Sequence, residues 1–271
     1  MRLQGQMPNA KESRCYAPSF LCIHQWHNNL LYSLSSQAKF GNKLSLLVNN
    51  EELYKKNNME FLDPALDEYV VSHSEVEPAC LHELNRKTHL QVMQPRMLSG
   101  HFQGRLLSML SHMIKPKRVL EIGTYTGYSA ICFAEGLVEG GKVITIDVNE
   151  ELEEMVTEYI GKCGMEGRIE NIIGDAAEII PVLDEEFDIV FIDADKKNYC
   201  LYYDLVFDKV KKGGYIIADN VLWSGKVLLA DDELDRETLV IKEYNRKIHA
   251  DDRVQEVLLP VRDGLMIARK K

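Results

Sequence analysis

Tryptophan is scarce in this 271-residue sequence, with two residues, and the six cysteines (Cys15, Cys22, Cys80, Cys132, Cys163, Cys200) form no C-x-x-C pair. Scattered thiols in a chain long enough to bury its own core argue against a zinc site and against a disulfide framework, so all six are read as reduced thiols of a cytoplasmic protein. No apolar run approaches the ~20 residues of a membrane span. An excess of basic residues is also missing: 32 Lys and Arg face 42 Asp and Glu, a net charge of -10. That balance excludes broad binding to a phosphate backbone, so neither nucleic acid nor a membrane is expected as partner. Internal repeats and low-complexity tracts are absent as well.

What is present divides unevenly. Residues 1–58 show no sustained helical or strand period and carry seven basic residues (Arg2, Lys11, Arg14, Lys39, Lys43, Lys55, Lys56) against three acids (Glu12, Glu51, Glu52). FLCI is too short for the apolar core of a secretory signal; an organelle transit peptide stays open, since the stretch contains Ser and is poor in acids, but it lacks a clear Arg-rich amphipathic face. The functional domain is therefore expected to span 59–271, opening at Met59, with 1–58 a disordered extension or an upstream translation artefact. Periodicity begins there. Asp63-Pro64 has the cap-then-proline signature of a helix start, and two further helices follow through EPACLHELNRKTHL and HFQGRLLSMLSHMI. Beyond Lys115-Pro116 strands alternate with helices: RVLEIG, KVITIDV, RIENIIG, FDIVFID and YIIADN with helical segments between them, then a last helix and two strands, VQEVLLPV and GLMIARK. Such alternation implies an α/β fold with a mainly parallel sheet and a ligand crevice at the strands' C-terminal ends.

The first strand runs into VLEIGTYTGYSA. Gly123 and Gly127 permit a sharp turn and close approach to a ligand. Their G-x-x-x-G spacing is not the G-x-G-x-x-G of a dinucleotide site, and Glu121, read as lying in the turn, would repel a phosphate and attract an ammonium. Asp147, 24 positions after Gly123, ends the second strand, where an acid accepts ribose hydroxyls. Taken singly, Glu121 is a solvated turn residue and Asp147 a helix cap. Together they suit a nucleoside bearing an amino acid, S-adenosylmethionine. A second concentration of charge closes the apolar strand FDIVFID, in FIDADKKNY, where the plainer reading is that Asp195 caps the next helix.

These segments, with QPRMLSGHFQG, IIGDA, ADNVLWSG and DGLMIARK, make residues 59–271 resemble the cation-dependent O-methyltransferases, the family of caffeoyl-CoA and catechol O-methyltransferases and their small bacterial relatives. The resemblance implies a Rossmann-like class I methyltransferase fold, with a seven-stranded, mainly parallel sheet, an antiparallel C-terminal strand and helices on both faces. It implies that Asp193, Asp219 and Asn220 bind a divalent cation such as Mg²⁺, a set of hard oxygen donors, and that Lys196 is the catalytic base beside Asp193. It assigns cofactor contacts to Met97, Ser99, Glu121, Gly123, Ser129, Asp147, Asp175, Ala176 and Asp193, and makes Trp223 a wall for a small aromatic acceptor. A homodimer is expected. Lys197 is read as a solvated charge, and Tyr199, Tyr202 and Tyr203 as packing or subunit contacts.

The chain departs from the catechol-type pattern at Met266, where that pattern places a glutamate that holds the second catechol hydroxyl. The loop 221–235 is then left to help define the acceptor. Two other readings compete: a nicotinamide-dependent oxidoreductase, disfavoured by the glycine spacing, and a cofactor-binding interaction protein whose chemistry has lapsed.

Overall fold

The computed structural model describes residues 63–271. The expected domain start at Met59, the segment before it, and Cys15 and Cys22 lie outside the described residues. Three helices precede the sheet: α1 (Pro64–Ser72), α2 (Ala79–Gln91) and α3 (Gly100–Ile114). The cap signature holds, since Asp63 Oδ1 accepts the Ala65 N–H at 2.9 Å with Pro64 at the first helical position. Then follow β1 (Arg118–Ile122), α4 (Tyr128–Glu135), β2 (Lys142–Asp147), α5 (Glu153–Lys162), β3 (Ile169–Ile173), α6 (Ala176–Val182), β4 (Phe187–Ile192), α7 (Tyr199–Phe207), β5 (Val210–Ala218), α8 (Arg236–His249), β6 (Val254–Leu259) and β7 (Leu265–Lys270).

The sheet order is β3-β2-β1-β4-β5-β7-β6. Strands β1 to β5 run parallel, and β7 is antiparallel to both neighbours. This is the seven-stranded α/β sheet that the sequence implies. Side-chain alternation sends Leu120, Ile122, Ile144, Ile146, Val190 and Ile192 into a core shared with α6, α7 and α8. The intervening Val119, Val143, Ile189 and Phe191 join a second core with α2 to α5. Both faces of the central strands are therefore dry, which is why they read as continuous apolar runs. Leu120 is fully buried, and its truncation to alanine is expected to cost about 2–5 kcal/mol. Chain order reverses between β1 and β4, so the crevice opens at their C-terminal ends.

One expectation fails here. Cys80, in the first turn of α2, and Cys163, the residue after α5, are joined in a disulfide with their Cα atoms 5.5 Å apart and 83 residues apart in sequence. Motif spacing detects only local pairs; the long-range pairing is made by α2 lying along α5, where Lys87 bonds Glu158 at 2.5 Å and Lys162 bonds Glu83 at 2.6 Å. Cys132 is free and buried, and Cys200 is free and half-buried. No described helix is long and apolar enough to cross a membrane.

Candidate active site

A cleft of about 1590 Å³ opens at the C-terminal ends of β1, β2, β4 and β5. It gathers nine of the residues singled out from sequence: Met97, Gly123, Asp147, Ala176, Asp193, Lys196, Asp219, Asn220 and Trp223. Ser99, Glu121, Ser129 and Asp175 do not line it. Ser99, the residue before α3, is buried. Asp175 caps α6, its Oδ1 accepting the Ala177 N–H at 2.8 Å.

Glu121 is not in a turn but inside β1, fully buried. Strand alternation points it away from Leu120 and Ile122, toward Thr145 of the paired strand, whose hydroxyl donates to Glu121 Oε2 at 2.5 Å. Oε1 is buried without a partner among the described residues. Burial pushes this carboxyl up to about 8, against the pull of the Thr145 hydrogen bond. Gly123 is required by the crossing strand: a Cβ on it would stand 2.1 Å from the Asp193 carbonyl oxygen, and its φ is +100°. Asp147 closes the glycine turn, with Oδ2 accepting the Tyr125 N–H at 2.8 Å and Oδ1 the Asn149 N–H at 2.9 Å.

Because Ile192 and Ala218 are paired across β4 and β5, the next residues, Asp193 and Asp219, emerge side by side. Burial raises the Asp193 carboxyl; Lys196 counteracts this and nearby Asp219 adds to it, with the net direction upward. Lys196 Nζ donates to Asp193 Oδ1 at 3.1 Å and to the Tyr199 hydroxyl at 2.7 Å, and that hydroxyl donates to the Asp219 carbonyl at 3.0 Å. Tyr199, Tyr202 and Tyr203 are buried as expected, yet Tyr199 does more than pack, since it fixes the lysine head. Asp219 is itself held: Oδ2 accepts from Gln103 Nε2 at 2.6 Å and Oδ1 from the Asn220 N–H at 2.7 Å. Asp195 occupies the cap position but bonds no backbone N–H there; it accepts from the Tyr202 hydroxyl at 2.6 Å and from Asn198 at 2.8 Å. Lys197 is exposed, as expected of a solvated charge.

Trp223 borders the cleft with Lys196 Nζ 5.8 Å and Lys226 Nζ 6.0 Å from its ring centre. Its Nε1 is buried with no partner among the described residues. Met266 is a core residue of β7, 3% exposed and paired with Ala218, so its side chain packs instead of facing an acceptor. Gln103, Arg262 and Asp263 were not singled out. They belong to the quoted segment GHFQG and to the residues around DGL, but nothing local marks them, because their partners come from distant elements.

Backbone strain concentrates at this cleft. Of the seven described non-glycine residues with positive φ, six line it: Gln94, Tyr125, Asn220, Trp223, Ser224 and Arg262. Such conformations persist only where surrounding contacts over-determine them, and they cluster at functional sites.

A parallel sheet reversing between β1 and β4, an acid at the end of β2 and paired carboxylates beyond β4 and β5 define a Rossmann-like, class I methyltransferase fold. The O-methyltransferase family matches residues 71–271, and the chain belongs to that family of enzymes. It is 35% identical over 222 residues to caffeoyl-CoA O-methyltransferase 2 of Populus trichocarpa, covering 76% of this chain and 88% of that one. With the caffeoyl-CoA O-methyltransferase of Medicago sativa the identity is 37% over 188 residues, 64% of this chain and 75% of the other. Among solved structures, an SAH-bound methyltransferase of Podospora anserina superposes with a TM-score of 0.71 at 28% identity, over 76% of this chain and 94% of that one. A SAM-bound O-methyltransferase of Streptomyces achromogenes, involved in tomaymycin synthesis, gives 0.72 at 26% identity, over 76% and 96%. Family membership removes the oxidoreductase reading.

Proposed function

We propose that this enzyme transfers the methyl group of S-adenosylmethionine to one hydroxyl of a vicinal-dihydroxy aromatic acceptor held by a divalent cation. The observation that carries the reading is the convergence of Asp193, Asp219, Asn220 and Lys196 in one cleft with Gly123 and Asp147.

The residues suit both groups. Toward the donor, Asp147 keeps unused lone pairs for ribose hydroxyls, and Gly123 lets the backbone turn approach the amino-acid end closely. Toward a cation, the donors are two carboxylates and an amide, the hard-oxygen chemistry of Mg²⁺. Among the described residues no group of three His, Cys, Asp or Glu side chains is set to hold a metal; the set here has two acids, so water or acceptor oxygens would complete it. A bound cation would lower the pKa of the chelated phenol, ordinarily ~10, and fix one oxygen toward the methyl group.

The protein's own residues do the rest. Lys196 Nζ, held by Tyr199 and Asp193, takes the acceptor's hydroxyl proton. The oxygen then forms its bond to the methyl carbon as the carbon–sulfur bond breaks and its electron pair stays on sulfur. Trp223 supplies a flat apolar wall for the ring. The test is methyl transfer from labelled S-adenosylmethionine to catechols and caffeoyl compounds, with Mg²⁺ and with EDTA. Transfer that survives EDTA removes the cation from this reading, and no transfer by protein that binds the donor favours a lapsed enzyme. We further propose a homodimer, which light scattering tests directly.

A further inference from the structure

Arg262 stands in the turn between β6 and β7 with φ +49°, an unfavourable conformation for a residue with a Cβ. Its guanidinium reaches the loop before α3. Nη1 donates to the Leu98 carbonyl at 2.8 Å, to the Ser99 carbonyl, and to Gln103 Oε1 at 3.4 Å, while Nη2 donates to the Arg96 carbonyl at 3.4 Å. Every one of these partners is a neutral oxygen. Gln103, fully buried on α3, turns its other end to Asp219, with Nε2 2.6 Å from Oδ2.

The chemistry dictates that amide's orientation. A guanidinium only donates and a carboxylate only accepts, so Oε1 must face Arg262 and Nε2 must face Asp219. Removing the guanidinium leaves Gln103 Oε1 and the carbonyls at 96, 98 and 99 without their common partner, so the amide is held from the Asp219 side alone. Met97, between those carbonyls, and Asp219 both line the cleft.

We propose that Arg262 is a positioning residue which, through the carbonyls of residues 96–99 and the Gln103 amide, ties the donor-side wall of the cleft to the Asp219 carboxylate on the acceptor side. This rests on the proposed function in taking Asp219 as a cation ligand and Met97 as a donor neighbour. Lysine cannot stand in, because a single ammonium lacks the planar fork that spans carbonyls and amide together.

The test is calorimetric titration of S-adenosylhomocysteine and, separately, of Mg²⁺ into the full chain, with hydrogen exchange over residues 96–99. The variants are Arg262→Gly, Arg262→Lys, Gln103→Leu and the Arg262→Gly/Gln103→Leu double. Glycine relieves the positive φ, so its losses report the guanidinium and not the backbone. Arg262→Gly should weaken both ligands about tenfold and deprotect residues 96–99, the scale of a lost charged hydrogen bond. Arg262→Lys should recover little. Gln103→Leu should weaken Mg²⁺ alone, and the double variant should bind Mg²⁺ no worse than Arg262→Gly. Both affinities staying within twofold in Arg262→Gly, or additive losses in the double variant, would overturn the proposal. Wild-type protein that binds S-adenosylhomocysteine but takes up no Mg²⁺ overturns the cation reading and the coupling with it, a failure told apart because it appears without any substitution.

Discussion

Glu121 gives the sharpest stability test. Its carboxyl ionises at about 8 in the folded chain, against 4.5 for an ordinary glutamate, mainly because burial disfavours the charge. Between those values the native state keeps a proton that the unfolded chain has lost, so the native state binds more protons and stability falls as pH rises through the window. At about 1.4 kcal/mol per pH unit across it, roughly 2.5 kcal/mol disappears between pH 5 and pH 7. For a domain of this size that is roughly 5–10 °C in Tm. Glu121→Gln keeps an acceptor for Thr145 and has no charge to bury, so the variant should lack this decline. The assay is thermal unfolding of ligand-free wild type and variant at pH 5, 6, 7 and 8, read as the difference between them. Any fixed cost of the amide cancels in that difference, and only its pH dependence matters. A wild-type-minus-variant difference that stays constant from pH 5 to pH 8 would refute the argument and mean that Glu121 ionises as if in water.

Asp219→Asn keeps an oxygen for the Asn220 N–H but removes the charge and the acceptor for Gln103 Nε2, so Mg²⁺-dependent turnover should fall by at least tenfold while S-adenosylhomocysteine affinity is retained; unchanged Mg²⁺ dependence would take Asp219 out of the cation set. Lys196→Ala should lower kcat by roughly 10²-fold, the scale of a positioned base, and wild-type kcat would leave Lys196 as charge balance for Asp193. The cleft's described lining holds eight carboxylates against four cations, and three of the four are engaged: Lys196 by Asp193, Lys226 by Asp235 at 3.1 Å, and Arg262 by carbonyls. A neutral or cationic catechol should therefore be methylated with a higher kcat/KM than a caffeoyl thioester carrying coenzyme A phosphates. The opposite ranking in a competition assay would show that anionic acceptors find cations elsewhere.

Sequence and structure agree where information is local. Asp63-Pro64, the alternating strands and the residues immediately past β4 and β5 are all placed by short-range pattern, because a buried strand has one exit and its next residue must face the crevice. Disagreement begins where a boundary or a distant partner decides. Placing Glu121 in the turn took it out of β1, which runs on to Ile122, and strand parity turns its side chain toward Thr145 and the core instead of the cleft. Asp195 sits at the cap position but is drawn off by Tyr202 and Asn198, neighbours that helical spacing brings round. The Cys80–Cys163 bond spans 83 residues, and the contact of Arg262 with Gln103 spans 159. No window of sequence holds both ends of either.

The strained residues of the cleft also bear on what its carboxylates do. Tyr125, Asn220 and Ser224 all hold positive φ, and the backbone N–H of each donates to a carboxylate, of Asp147, Asp219 and Asp263 respectively. Each acid is thus the anchor of an unfavourable turn as well as a group available to ligand. The left-handed conformations cost on the order of 1 kcal/mol or more apiece, and charge-assisted acceptors are strong enough to offset that. Alanine at any of these positions would release the turn and delete the charge together, so a loss of activity would not separate the two roles. Asparagine comes nearer to separating them, because its one carbonyl still accepts the strained N–H while the charge is gone, at the cost of the second bond, to the Asn149 N–H at Asp147 and to the Gln103 amide at Asp219. If Asp147→Asn keeps wild-type stability but loses affinity for S-adenosylhomocysteine, the ligand uses the carboxylate itself. If it keeps both while Asp147→Ala loses both, the acid serves the binding site only by holding Tyr125 and the glycine turn in place.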